Sequence, residues 1–190
     1  ALATILPGKV LAQGAKPSLT FNPPTVTVPP DETFESSVVI NTAGASVGGF
    51  GAKIEYDPTY LEVQAINTFD PFDDYPTVAY DNDSGSMIIS GVRLNKDDLY
   101  TGSAPVATIE WKAKQTGTTN VIFNYAPGST RDSNIAVNYG NGDILESVNT
   151  LTVTIDPNAP APQPTTPETG GRVVARSVNP EDQNPFFRVL

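Results

Sequence analysis

The chain has 190 residues with neither cysteine nor histidine, which excludes disulfides, thiolate metal sites and imidazole catalysis. Its formal net charge of −10 repels phosphate backbones and anionic lipid, arguing against nucleic acid and membrane surfaces as partners. With 18 prolines and 15 glycines the composition favours strands and turns, and no apolar run of about 18 residues could span a bilayer.

Residues 1–16, "ALATILPGKVLAQGAK", carry Leu2, Ile5, Leu6, Val10 and Leu11 ahead of small residues around Ala12–Ala15. This has the character of the end of a secretory signal, but a basic start is missing and Pro7-Gly8-Lys9 interrupts the run. It reads either as a signal-peptide remnant or as an apolar N-terminal arm; both imply export. Residues 17–156 then hold short alternating runs separated by turn signals, the pattern of an all-β sandwich. In "GGFGAKIEYDPTYLEVQAI", Phe50, Ala52, Ile54 and Tyr56 share one face and Gly51, Lys53, Glu55 and Asp57 the other. Asp57-Pro58 stops that strand, because proline fixes φ and donates no hydrogen bond. A second strand follows with Leu61, Val63 and Ala65 on one side. In "VATIEWKAK" the inward set is Ala107, Ile109, Trp111 and Ala113, and "KQTGTTN" after it reads as a hairpin turn. The last run places Leu151, Val153 and Ile155 inward. Residues 157–171 form a Pro/Thr-rich linker with almost nothing to bury. Residues 172–190 turn apolar again and end on Phe186, Phe187, Val189 and Leu190.

The run "LTFNPPTVTVPPDETFESSVVINTAGASVGGFGAKIEYDPTYLEV" resembles the first half of cohesin domains, and "VATIEWKAKQTGTTNVIF" and "NGDILESVNTLTVTI" resemble their late hairpin and closing strand. Cohesins are β-sandwich modules that bind calcium-loaded dockerins in cellulosomes and also occur on other bacterial and archaeal surface proteins. The resemblance implies an antiparallel β-sandwich of jelly-roll type, with about nine strands, that binds and does not catalyse. In dockerin-binding cohesins of the first type, the strand before Tyr-Asp-Pro offers outward Asn and Asp side chains to the partner. By register those positions here are Gly49 and Gly51. Glycine there permits close approach of another backbone or flat surface, or else marks a bulge. The expected dockerin contacts are absent, so dockerin is the weaker partner expectation.

Other constellations have two readings each. Asp70, Asp73, Asp74, Asp81 and Asp83 crowd "FDPFDDYPTVAYDNDSG"; their oxygens suit calcium, but the EF-hand spacing is missing and a solvated acidic loop reads as well. No other cofactor is implied. Glu55, Glu62 and Glu110 fall on flat outward strand faces, not across a cleft as glycoside hydrolysis needs. Carbohydrate binding needs exposed planar aromatics, whereas Trp111 points inward and Tyr60, Tyr75, Tyr80, Tyr100 and Tyr139 lie in or near loops. "TPETGG" lacks the leucine, apolar span and basic tail of a sorting signal, and Asn82-Asp83-Ser84 fits the glycosylation acceptor pattern. The two apolar ends are the strongest functional feature, because a sandwich edge accepts a strand from another chain. The expectation is an exported, non-catalytic subunit of a cell-surface filament or layer, whose partners are copies of itself or another surface protein. A cohesin binding a calcium-dependent dockerin, or a carbohydrate-binding module, are the alternatives.

Overall fold

Alternation in the sequence becomes two sheets packed face to face in the computed structural model, which describes residues 14–129, 131–137, 142–162, 172–173 and 176–177. One sheet runs in the order β11 (Ser147–Val148), β1 (Ser18–Asn22), β3 (Thr33–Asn41), β8 (Ser103–Ala113), β5 (Leu61–Thr68), β13 (Arg172–Val173). The other runs β14 (Arg176–Ser177), β6 (Asp74–Asp81), β7 (Ser86–Val92), β4 (Gly49–Glu55), β9 (Gly117–Phe123), β12 (Thr150–Ile155), β2 (Thr25–Val28). β10 (Asn134–Ala136) pairs with β4 beside Gly49–Gly51, where β9 has turned away.

The inward set of each run fills the space between the sheets. Phe50, Ala52, Ile54 and Tyr56 are buried, as are Leu61, Val63, Leu151, Val153 and Ile155. Trp111 is wholly buried at the centre, stacked on Phe34 and met edge-on by Tyr56. Its indole N–H donates to the Ser36 hydroxyl at 2.9 Å, so the polar tip of the core's largest ring is satisfied.

Two departures from the expected architecture have a common cause. Among the described residues the sandwich has twelve strands before the C-terminal segment adds two. Its first and last runs form two parallel pairs, β1 with β11 and β2 with β12, besides the parallel pair that the C-terminal β14 makes with β6. Pro23 and Pro24 cannot carry a central strand, so the first run breaks into β1 and β2, one in each sheet. The closing run breaks at Asn149 and switches sheets alongside it. There the Asn149 side chain takes the place of a strand backbone, its Oδ1 accepting from the Phe21 amide at 2.6 Å and its Nδ2 donating to the Phe21 carbonyl at 3.0 Å. The "KQTGTTN" turn is also corrected. β8 already has β3 on one side and β5 on the other, so β9 cannot pair with it and the chain crosses to the opposite sheet.

Tyr56-Asp57-Pro58 is another crossing, carrying the chain from β4 in one sheet to β5 in the other. The Tyr56 amide donates to the Gly85 carbonyl at 2.8 Å, and the Asp57 carboxylate caps the Thr59 amide at 2.8 Å. Gly85 has φ +68°, and a Cβ there would sit 2.1 Å from the Tyr56 carbonyl, so only glycine lets the β6–β7 turn close on this corner.

Candidate interaction surface

The outer face around the two glycines is built by cross-strand rows. Val92, Gly49 and Ala136 stand side by side on β7, β4 and β10; the next row is Thr77, Ser90, Gly51 and Asn134. Asp74 of β6 lies opposite Val92 in the first row, and Gly49 is buried and Gly51 partly buried among these neighbours. The β4–β7 register runs from Gly49 to Glu55 without a shift, so the glycines do not mark a bulge. They make room within the chain. A Cβ on Gly49 would lie 2.9 Å from the Gly91 carbonyl oxygen, and one on Gly51 would lie 3.3 Å from Asn134 Nδ2.

The sandwich side formed by β5 and β6 is where its own C-terminal segment attaches. Arg172 and Val173 pair antiparallel with Thr68 and Asn67 on the free edge of β5. Arg176 and Ser177 pair parallel with Ala79 and Tyr80 on the free edge of β6. One short segment therefore supplies a strand to each sheet. Leu2, Ile5, Leu6, Val10, Leu11, Phe186, Phe187, Val189 and Leu190 lie outside the described residues.

The acidic loop does not converge on one point. Asp73 pairs with Arg93 at 3.0 Å and accepts from the Leu94 amide at 2.9 Å; Asp74 accepts from the Tyr75 amide at 2.9 Å. Asp81 instead caps the β6–β7 turn, accepting from the Asp83 amide at 2.8 Å and the Ser84 hydroxyl at 2.9 Å. Those donors hold its carboxyl below the usual carboxylate range. Asp70 and Asp83 are exposed. Among the described residues no group of three or more acidic side chains gathers as metal ligands. Glu55 lies on β4, whereas Glu62 and Glu110 lie on the neighbouring strands β5 and β8 of the opposite sheet.

Asn82, the glycosylation candidate, is fully engaged. Its Oδ1 accepts from the Tyr56 hydroxyl at 2.7 Å and the Val63 amide at 2.9 Å, and its Nδ2 donates to the Val63 carbonyl at 3.0 Å. This amide pairs like a strand where the β5–β8 register shifts, between Val63 and Ala65. Tyr75 is a core-edge residue, its hydroxyl bonded to the Phe69 carbonyl at 2.5 Å and the Val106 carbonyl at 2.9 Å. Burial raises the Tyr56 and Tyr75 hydroxyls well above the ordinary phenol. Sequence reasoning missed the roles of Asn82 and Asn149, because a lone Asn in a turn carries no signal of its long-range partner.

The cohesin domain family model matches residues 19–156. The chain belongs to the cohesin family. Cohesin domains are protein–protein interaction modules without catalytic activity of their own. A cohesin from a type I cohesin–dockerin complex of Clostridium thermocellum is 14% identical with a TM-score of 0.59, over 78% of this chain and 99% of that one. A type II cohesin domain from the cellulosome of Acetivibrio cellulolyticus is 15% identical with a TM-score of 0.59, over 73% and 95%. A non-cellulosomal cohesin from the hyperthermophilic archaeon Archaeoglobus fulgidus is 13% identical with a TM-score of 0.54, over 75% and 92%. At these identities the likeness shows the fold alone. No curated protein matches the sequence. Among the described residues no helix is long and apolar enough to cross a membrane.

Proposed function

We propose that this cohesin is an exported, non-catalytic subunit that assembles with copies of itself into a cell-surface filament or layer, by donating a terminal strand to a neighbouring sandwich. The observation that carries this reading is the pairing of residues 172–173 and 176–177 with the free edges of both sheets. An edge that accepts a strand in cis offers the same hydrogen bonds to that strand from a second copy. Arg172 follows Ile155 by 17 residues. That is roughly 55 Å when extended, whereas Arg172 pairs with β5 in the opposite sheet, and a path of four strand spacings plus one sheet spacing is about 29 Å. The reach exceeds what the molecule's own edge requires. Passed from subunit to subunit, such a contact is heterologous and grows an open polymer.

Electron microscopy of the full chain beside truncations lacking residues 1–15 or 172–190 tests this. Filaments or sheets from the full chain, lost in a truncation that still folds as a monomer, support the reading and identify the donor. Monodisperse particles from all three, with and without calcium, overturn it. Dockerin capture is the second reading, favoured by the likeness to a cohesin solved in a cohesin–dockerin complex and opposed by the glycines at positions 49 and 51. Calcium-dependent retention of a dockerin-bearing protein by the immobilised full chain would support it.

A further inference from the structure

Two carboxylates beside β10 each keep a buried oxygen without a hydrogen-bond donor. Asp132, 7% exposed, precedes β10; its Oδ2 accepts from the Ala126 amide at 2.5 Å, and its Oδ1 is buried with no partner. Asp143 sits opposite Ala136 of β10 across a β-bridge. Its Oδ1 accepts from the Ile135 and Leu145 amides, both at 2.9 Å, and its Oδ2 is likewise buried and unpartnered. Tyr125 connects the two places. Its backbone adjoins the amide that Asp132 accepts from, and its hydroxyl donates to the Leu145 carbonyl at 2.9 Å, on the residue whose amide Asp143 accepts from. Burial and then the charges of Asp143, Asp132 and Glu146 push the Tyr125 hydroxyl up.

A charged oxygen taken out of water without a donor is strongly unfavourable. Among the described residues, the ion pairs engage neither carboxylate, while Glu146 is met by Lys16 at 3.5 Å. We propose that Asp132 Oδ1 and Asp143 Oδ2 bind one calcium ion, which ties the loop before β10 to residues 142–145. An all-oxygen donor set selects a hard cation, and a loop-borne site suits the irregular six to eight ligands of calcium, the remainder coming from backbone carbonyls and water. Two carboxylates instead of three or four point to weak binding, on the order of 10⁻⁴–10⁻³ M, as in extracellular modules. The ion would hold β10 against β4, and with it Asn134 and Ala136 beside the two glycines. This site is independent of the acidic loop at residues 70–83 and of the self-assembly reading.

The test uses the full chain after chelator treatment and dialysis. Terbium luminescence excited through the protein aromatics should saturate at one ion per chain and be reversed by calcium. Asp132→Asn and Asp143→Asn should each weaken affinity at least about tenfold, and Asp83→Asn in the β6–β7 turn should leave it unchanged. Equal affinity in either of the first two variants overturns the shared site. So does loss in Asp83→Asn, or the absence of any saturable signal up to about 10 mM ion. Should a variant fail to fold, calcium titration of the wild-type chain by NMR decides. Shift changes confined to residues 124–135 and 142–146 support the site, and changes centred elsewhere, or none, overturn it.

Discussion

At the scale of single residues, the fold depends on side chains that substitute for backbone. Asn82 bonds Val63 from both ends of its amide while accepting from Tyr56, and Asn149 bonds Phe21 in the same way. Truncating either leaves part-buried donors and acceptors unmet, at about 1–3 kcal/mol per group. Asn82→Ala should destabilise the protein by about 2–4 kcal/mol, lowering the urea midpoint with little change in slope. An unchanged midpoint would show that this amide is dispensable. Asp81 sets a pH dependence. Its carboxyl is depressed in the folded chain by the Asp83 amide and the Ser84 hydroxyl. Its stabilisation is therefore present above the unfolded value of about 3.9 and is lost as pH falls through the lower folded one. In urea melts, Asp81→Asn should lose part of the decline in stability below about pH 4. Melts of wild type and variant that stay parallel into that range would sink the assignment.

At the scale of elements, the side of the sandwich where β5 and β6 meet is the point of interest. Each would otherwise end its sheet with unpaired backbone groups, and exposed edges of this kind recruit other chains. β13 and β14 pair with part of each edge. Removing residues 172–190 should thus leave the fold intact while amide exchange quickens around Asn67–Thr68 and Ala79–Tyr80. Equal protection in both chains would show that the segment does not pair there in solution. The alternating runs that became β3, β4, β7, β8 and β12 were plain in the sequence, since a period of two with branched and aromatic residues has one buried solution. β13 and β14 were not. Two residues carry no period, and what makes them strands is the edge they meet.

At the scale of the whole molecule, charge opposes association. A chain of net charge −10 repels its copies, and salt screens that repulsion within a Debye length of roughly 10 Å at 0.1 M. If the polymer forms by strand donation, light scattering should rise faster in about 0.3 M than in about 0.03 M sodium chloride, because the steps that join subunits are screened while the hydrogen bonds are not. Slower assembly in high salt would instead point to ion pairs across the contact.

The sequence by itself determined the all-β class, most of the buried set, the family and the exclusion of thiol and imidazole chemistry. These follow from local periodicity, residue order and composition, which need no knowledge of what lies across the fold. The sequence put Ala65 inward, but the register shift after Val63 turns Ile66 in instead. Only the tertiary structure decided which strand pairs with which. β9 crosses to the other sheet because both sides of β8 are taken, and the first and last strands run parallel because both switch sheets at one place. It also decided that Asn82 is a structural tie, that the acidic loop is dispersed, and that Asp132 is buried beside β10 with Asp143 half-buried across from it. Those outcomes depend on contacts between residues far apart in the chain, and a linear pattern does not encode them.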